Sequence, residues 1–367
     1  MRILIIGQWI LPMNNPRAHR TFNLAKGFAR HGHGVILYSM TGEKDYHEEA
    51  QRYNIKIKNL GKSYCGLIDS QGKFSGHIVN RLLGRVVGEH NVYPGFEFYR
   101  MVKQCFQNET DIELLITIAF PHVIHWAAAK YIDLLAPKCW IADCGDPFMG
   151  NTFLNPLKIY ERFERLWCSK VNYITVPIED AILAYYPEFR DKIKVIPQGF
   201  DNSDVILDKY EINDIPTFAF AGSTYRKLRD PRNFLNYIYD NDINCKFIVY
   251  TRSDDFNDYK EKLGERLDVR SYIQRESLIR ELSHCYFLIN IKNKSSVQSP
   301  SKLIDYALTN RPILTITSEF NSVDQSNFLD FLNAEYNSQT VVKDQEIYDI
   351  DNVVEKFTEL YKTNRSQ

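Results

Sequence analysis

Three short stretches of this chain carry residue types that do chemistry. In Ser299-Pro300-Ser301-Lys302-Leu303-Ile304-Asp305-Tyr306-Ala307, a serine cap and an early proline open a helix. Leu303, Ile304 and Ala307 give that helix an apolar face, and Asn310-Arg311-Pro312 stops it before a short buried strand, Ile313–Ile316. The free N–H groups and partial positive charge at such a helix start suit a phosphate. Read locally, an ordinary capped helix accounts for the same residues. The second stretch is a buried strand, Thr217 to Gly222, that runs into Ser223-Thr224-Tyr225-Arg226-Lys227-Leu228-Arg229. Small residues followed by clustered cations give close backbone approach and fixed positive charge, as a pyrophosphate needs. A basic loop leading into a helix is the alternative, and the sequence does not say which of Arg226, Lys227 and Arg229 turns inward. The third stretch is Asp143-Cys144-Gly145-Asp146-Pro147-Phe148, at the end of a strand. Ligand chemistry in open α/β sheets gathers at the carboxyl ends of strands. Two aspartates there suit a ligand, or else Asp146 caps an Asp-Pro turn.

Those stretches need elements to position them, and the pattern supplies an α/β alternation. Ile3 to Gly7 reads as a strand, Ala18 to His31 as a helix, and Val35 to Tyr38 as the next strand, the opening of a doubly wound sheet. It lacks the G-x-G-x-x-G dinucleotide fingerprint. Arg17 and Arg20 at the start of that helix are candidates for an anionic group, with solvated surface arginines as the alternative. Residues 43 to 110 read poorly; 64 to 91 are rich in Gly and basic residues. From Leu114 the rhythm returns: a strand, a helix over Pro121 to Leu135 that His122 and His125 begin, and a strand over Cys139 to Ala142. Either histidine suits catalysis or a structural role. Later strands are expected at Val171–Val176, Lys192–Ile196, Lys246–Tyr250, Val269–Ile273 and Tyr286–Ile291, and a terminal helix over Asn352 to Lys362.

With 367 residues, the chain exceeds what one hydrophobic core usually serves, so two domains are expected. Lys+Arg 45 against Asp+Glu 46 leaves a net charge of −1, which gives no basic field for nucleic acid. Seven scattered cysteines without CxxC spacing fit reduced thiols in a cytoplasmic protein and oppose a zinc site or disulfide framework. No apolar run approaches the ~18–20 residues of a membrane span. The 23 tyrosines and 22 phenylalanines fit sugar-stacking surfaces or aromatic cores.

Taken in order, these motifs resemble those of GT-B glycosyltransferases of the family 4 type. The Ser-Pro-Ser-Lys…Asp…Arg-Pro-Ile-Leu stretch is similar to the family's nucleotide-sugar motif. Lys192-Ile193-Lys194-Val195-Ile196-Pro197-Gln198-Gly199-Phe200-Asp201 matches Lys-x-x-Val-Ile-Pro-Asn-Gly-Val-Asp with few changes, and marks the crossover between domains. Asp143–Phe148 resembles Asp-x-Arg-Asp-Pro-Trp, with Gly145 in place of Arg and Phe148 in place of Trp. The resemblance implies two Rossmann-like, doubly wound parallel-sheet domains facing across a cleft: an acceptor-side domain over 1–201, a linker over 202–216 and a donor domain over 217–348. A helix over 349–367 crosses back to the first domain.

The same resemblance implies a transferase that moves a sugar from a UDP- or GDP-linked donor to a hydroxyl of a saccharide or lipid-linked acceptor. Donor contacts fall on Gly222, Ser223, Arg226, Lys227, Arg229, Tyr272, Ile273, Ser299, Pro300, Ser301, Lys302 and Asp305, with Asp305 on the ribose hydroxyls. Acceptor-side residues are Arg17, Arg20, Asp143 and Asp146; catalytic roles go to Asp146, Arg226, Lys227 and His122. No metal and no cofactor beyond the nucleotide-sugar co-substrate are expected, with retention of configuration. The setting is bacterial surface polysaccharide synthesis in the cytoplasm, free or peripheral at the inner membrane face, with no nucleic-acid partner. One departure stands out. The family's Glu-x7-Glu pair requires an acid where this chain has Val297, which leaves the sugar end of the site less defined than the nucleotide end. An epimerase acting on nucleotide-sugars and a non-catalytic partner subunit are the rival readings.

Overall fold

A computed structural model describes residues 1–13, 15–62, 97–151, 156–203, 205–224, 229–292 and 301–366, with Ser301 described by its backbone alone. The chain divides into two compact units. Met1–Asp201 joins Glu346–Gln367 in the first, and Asn202–Gln345 forms the second.

The first unit is built on strands β1 (Arg2–Ile6), β2 (Gly34–Ser39), β3 (Ile55–Asn59), β4 (Leu114–Ala119), β5 (Cys139–Cys144), β6 (Tyr173–Val176) and β7 (Ile193–Val195). They form a parallel sheet in the order β3-β2-β1-β4-β5-β6-β7. β4 and β5 are buried along their whole length, as expected of parallel strands covered on both faces. Helix α1 (Pro16–Arg30) starts with Asn15, whose side chain accepts from the Ala18 N–H, and with proline in its first turn. The next helices are α2 (His47–Tyr53), α3 (Glu97–Asn108), α4 (Val123–Leu135) and α5 (Glu161–Lys170). The terminal helix of the chain, Ile350–Ser366, packs on α1. A methyl group at Gly27 of α1 would meet Val354 at 2.8 Å and Ile350 at 3.0 Å.

Residues 43–110 read poorly for a physical reason. α2 buries none of its residues, and α3 buries only the stripe Phe98, Met101, Val102, Cys105, Phe106. The stripe follows i, i+3, i+4 spacing; residues 63–96 lie outside the described part. The Gly- and Lys/Arg-rich stretch over 64–91 falls there too.

The second unit repeats the plan. β8 (Thr217–Ala221), β9 (Lys246–Tyr250), β10 (Leu267–Arg270), β11 (Phe287–Ile291) and β12 (Ile313–Ile316) make a parallel sheet in the order β10-β9-β8-β11-β12. Helices α6 (Arg232–Asp240), α7 (Asn257–Leu263), α8 (Arg275–Ser283), α9 (Ser301–Leu308) and α10 (Ser322–Leu332) connect and cover it; the terminal helix is then α11. Much of the phenylalanine in this unit goes into its core. Phe218 stacks on Phe247 and Phe287 with ring centroids 4.9 Å apart in each case, and Phe234, Phe328 and Phe331 close around them.

Both sheets reverse strand order once, between β1 and β4 in the first unit and between β8 and β11 in the second. The crevice beyond the carboxyl ends at such a switch point is where open α/β sheets bind ligands. Gly7, Arg17 and His122 follow β1 and β4; Gly222 and Lys302 follow β8 and β11. Among the described residues, no helix is long and apolar enough to cross a membrane.

Candidate functional site

In the second unit, β8 ends at Ala221 and the chain turns at Gly222, whose φ is +144°. Only glycine takes that conformation without strain. It also leaves space that a neighbour uses: a Cβ at position 222 would coincide with the Lys302 ammonium. Lys302 is the second residue of α9. Its ammonium lies 5.3 Å from the centroid of Phe220 and makes no ion pair with any described residue. Burial, with the nearby Arg229 charge added, pushes it down to about 7 against the pull of Asp305. A lysine held this way gains most from an anion. Arg229 lies nearby, its guanidinium donating to the Ser223 carbonyl at 3.4 Å.

Helix α9 is pinned by two contacts that no local pattern announces. The Ala221 N–H donates to the Tyr306 hydroxyl at 2.7 Å, and Tyr306 is only 2 % exposed. One residue earlier, Asp305 accepts from Arg275 Nε at 2.7 Å, and Arg275 also donates to Asn202 at 3.2 Å. Burial raises the Asp305 carboxyl, and Arg275 opposes that. Arg275 stands 30 positions away in sequence, so only tertiary structure brings it to Asp305. Tyr272 lies exposed beside the Arg252 guanidinium, 5.5 Å from its ring centroid; burial and the nearby Asp305 charge raise its phenol above the ordinary value. Ile273 packs its side chain partly into the core. Arg226, Lys227, Ser299, Pro300 and Val297 lie outside the described residues, as does the side chain of Ser301.

In the first unit, Asp143 is almost fully buried and answered on all sides. Arg20 donates to it from Nε at 3.0 Å and from the second terminal nitrogen at 2.7 Å, and Thr175 donates at 2.7 Å. Burial pushes this carboxyl up, but Arg20 and Thr175 outweigh it and hold it below the usual range. Arg20 spends its remaining reach on the Pro197 carbonyl at 2.8 Å. The pair therefore braces α1 against β5, β6 and the Lys192–Asp201 segment. Nothing of either charge is turned outward, so of the acceptor-side candidates these two hold the edge together. Asp146 is exposed. Arg17 lies on Gly145: a Cβ there would coincide with its guanidinium.

His122 is buried and donates from Nε2 to the Asp146 carbonyl at 3.0 Å, while its Nδ1 meets no described partner. Burial and the Arg17 charge bring it down to about 4, against the Asp146 bond, so the ring is neutral at pH 7. His125 is deeper. Its nitrogens meet the Thr117 hydroxyl at 2.8 Å and the Cys144 thiol at 3.4 Å. That makes it a structural histidine. The trio His122, His125 and Cys144 brings ligand-type atoms within 4.8 Å of one another, but hydrogen bonds already use Cys144 and both nitrogens of His125. The cysteines among the described residues are buried, free thiols.

No protein family's profile matches the sequence, and no curated protein matches it by sequence. Solved structures do match in fold over nearly the whole chain. HepE of Anabaena, crystallised with UDP and glucose, is similar at a TM-score of 0.62 and 10% identity, covering 99% of this chain and 100% of that one. OtsA in its apo form is similar at 0.64 and 12%, covering 99% of each chain. The lipopolysaccharide outer core galactosyltransferase WaaB, also apo, is similar at 0.52 and 12%, covering 100% of this chain and 98% of its own. The chain has the GT-B glycosyltransferase fold.

Proposed function

We propose that this GT-B chain is a glycosyltransferase whose second unit binds a nucleotide-diphosphate sugar and whose first unit presents a hydroxyl acceptor. The observation that carries the reading is Lys302. Its half-buried ammonium is seated on Gly222 beside Arg229 at the switch point of the second sheet, where a diphosphate would supply the charge that the described residues leave out. In this reading Asp305, oriented by Arg275, takes the ribose hydroxyls, and Tyr272 lies against the base. Ser299–Ser301 and the cations Arg226 and Lys227 complete the phosphate end. HepE, similar in fold, was crystallised with UDP and glucose, which favours a uridine nucleotide over a guanosine one.

Fixed cations stabilise the departing diphosphate without reorganising as charge develops, so the reaction runs without a metal ion. On the acceptor side, Asp146 receives the hydrogen bond of the incoming hydroxyl, and neutral His122 sets the Asp146 backbone through its carbonyl. Retention of anomeric configuration follows from the family resemblance, as does an acceptor that is a saccharide or lipid-linked saccharide. The likeness to a lipopolysaccharide galactosyltransferase favours a role in bacterial surface polysaccharide synthesis, in the cytoplasm or at the inner membrane face.

Calorimetry with UDP and GDP tests the reading. Binding of one nucleotide, lost in Lys302→Ala with melting behaviour intact, is the expected result. Failure of every nucleotide to bind at millimolar concentration would sink it. Turnover of a UDP-sugar only when acceptor saccharide is added would then separate transfer from epimerisation.

A further inference from the structure

We propose that Arg17 supplies, from α1, the cation that the resembled motif Asp-x-Arg-Asp-Pro carries at position 145, and that it makes the acceptor edge of the first unit a subsite for an oxyanion borne by the acceptor. The inference rests on the transferase reading for the word acceptor; the oxyanion subsite itself stands on the geometry of the first unit.

Three observations meet at this point. First, position 145 is glycine, and the space a side chain would take there is filled by the guanidinium of Arg17. The loss of one arginine and the placement of another are therefore one structural fact: Gly145 is the opening through which Arg17 reaches the end of β5. Second, Arg17 donates no hydrogen bond and makes no ion pair with any described residue, although a guanidinium carries five donors in a rigid fork. The two acids nearest to it in charge are Asp143 and Asp146. Asp143 is closed off by Arg20 and Thr175, so it cannot serve Arg17 as well. Third, Arg17 is not on an open surface. It is only partly exposed, and burial lowers its pKa against the pull of Asp143. A half-buried fork with unused donors is a costly arrangement unless a ligand or solvent takes those bonds.

The neighbours decide the ligand class. The Arg20–Asp143 pair is neutral within itself, which leaves Arg17 and the exposed Asp146 as opposite charges on one edge. A ligand with a single anionic group and free hydroxyls answers both, the anion on Arg17 and a hydroxyl on Asp146. A bare polyanion would meet Asp146 unfavourably. A phosphate or carboxylate offers the two oxygens that the arginine fork matches.

The test is a charge transplant, read by inorganic phosphate binding to the full chain with UDP at saturation to fill the second unit. The parent protein should show a phosphate site that weakens by about tenfold or more in Arg17→Ala and in the uncharged Arg17→Gln. Gly145→Arg alone should also weaken it, because two guanidinium groups cannot share the space. The double variant Arg17→Ala/Gly145→Arg should recover most of the affinity, a result that a merely structural role for Arg17 does not give. Absence of the phosphate site in the parent, unchanged affinity in both Arg17 variants, or a double variant no better than Arg17→Ala would each overturn the proposal. UDP binding in the same titrations reports on the transferase reading separately. A protein that binds phosphate through Arg17 but binds no nucleotide defeats that reading and leaves the subsite standing.

Discussion

Each unit seats a cation from the second residue of a helix on a glycine at the carboxyl edge of its sheet, yet the two edges are electrically unlike. Arg17 on Gly145 stands among acids, and the strongest neighbouring charges are already closed into the Arg20–Asp143 pair. Lys302 on Gly222 stands beside another cation, Arg229, and the nearby acid is held by Arg275. The first edge is balanced and fits a ligand that is mostly hydroxyl. The second brings two cations together, and in the proposed reading a diphosphate answers them. The same device of glycine plus helix-borne cation is thus tuned by what surrounds it, because a desolvated charge is worth most where the protein leaves it uncompensated.

The largest expected effect separates bracing from binding. Arg20→Ala leaves Asp143 charged and buried, and should cost about 3–5 kcal/mol in urea unfolding. The pair Arg275–Asp305 is the counterpart, but Asp305 keeps 21% side-chain exposure. Arg275→Ala should therefore cost less stability and instead weaken UDP binding. Equal stability losses at both sites would break the distinction.

A second contrast lies in the two glycines. Gly222→Ala meets both a positive φ and the Lys302 ammonium, so strain of about 1–3 kcal/mol should come with displacement of the lysine and loss of nucleotide affinity in calorimetry. Gly145→Ala meets only the end of Arg17, so nucleotide affinity should hold while phosphate binding falls.

Proton linkage sharpens the same difference. Lys302 sits at about 7 against an ordinary 10.5. Between those values the unfolded chain holds a proton that the folded one lacks, so this group makes the free protein more stable as pH rises through that window. A bound diphosphate would hold Lys302 protonated. UDP affinity should then fall above pH 7, by up to about tenfold per pH unit, and calorimetry in buffers of different ionisation heat should show proton uptake. A flat profile from pH 7 to 9 would remove Lys302 from the phosphate site.

A last test asks how complete the balance of the first unit is. Glu164 is buried, has one oxygen without a described partner, and is pushed up to about 7 by burial, against the Met149 N–H bond. Its folded value lies above the ordinary 4.5, so the stability it contributes is lost as pH rises from there through 7. Glu164→Gln should raise stability at pH 8 by about 1–3 kcal/mol, read by thermal or urea unfolding, and change little at pH 4.

Much of this architecture was legible in the residues. Alternation of short apolar runs with amphipathic helices announced two parallel sheets, because strands covered on both faces and helices covered on one leave different periods. Motif order placed Gly222, Lys302 and Asp305 at strand ends. Helix boundaries slipped by a residue or two: the helix expected over Pro121 to Leu135 begins at Val123. Between β6 and β7, Glu179–Ala184 is a 3₁₀ helix rather than a longer α-helix.

What only tertiary structure decided is which charges face which. Arg17 and Arg20 stand three apart in one helix and look alike in sequence. One is consumed by an acid 123 positions away, and the other slips over a glycine 128 positions away. Asp305 acquires Arg275, and α9 acquires its anchor through Tyr306 to the Ala221 backbone. Residue type and local spacing set what each side chain can do and which strand end it follows. Its partner is fixed by packing across the sheet, and the partner determines whether a charge is spent on the fold or left for a ligand.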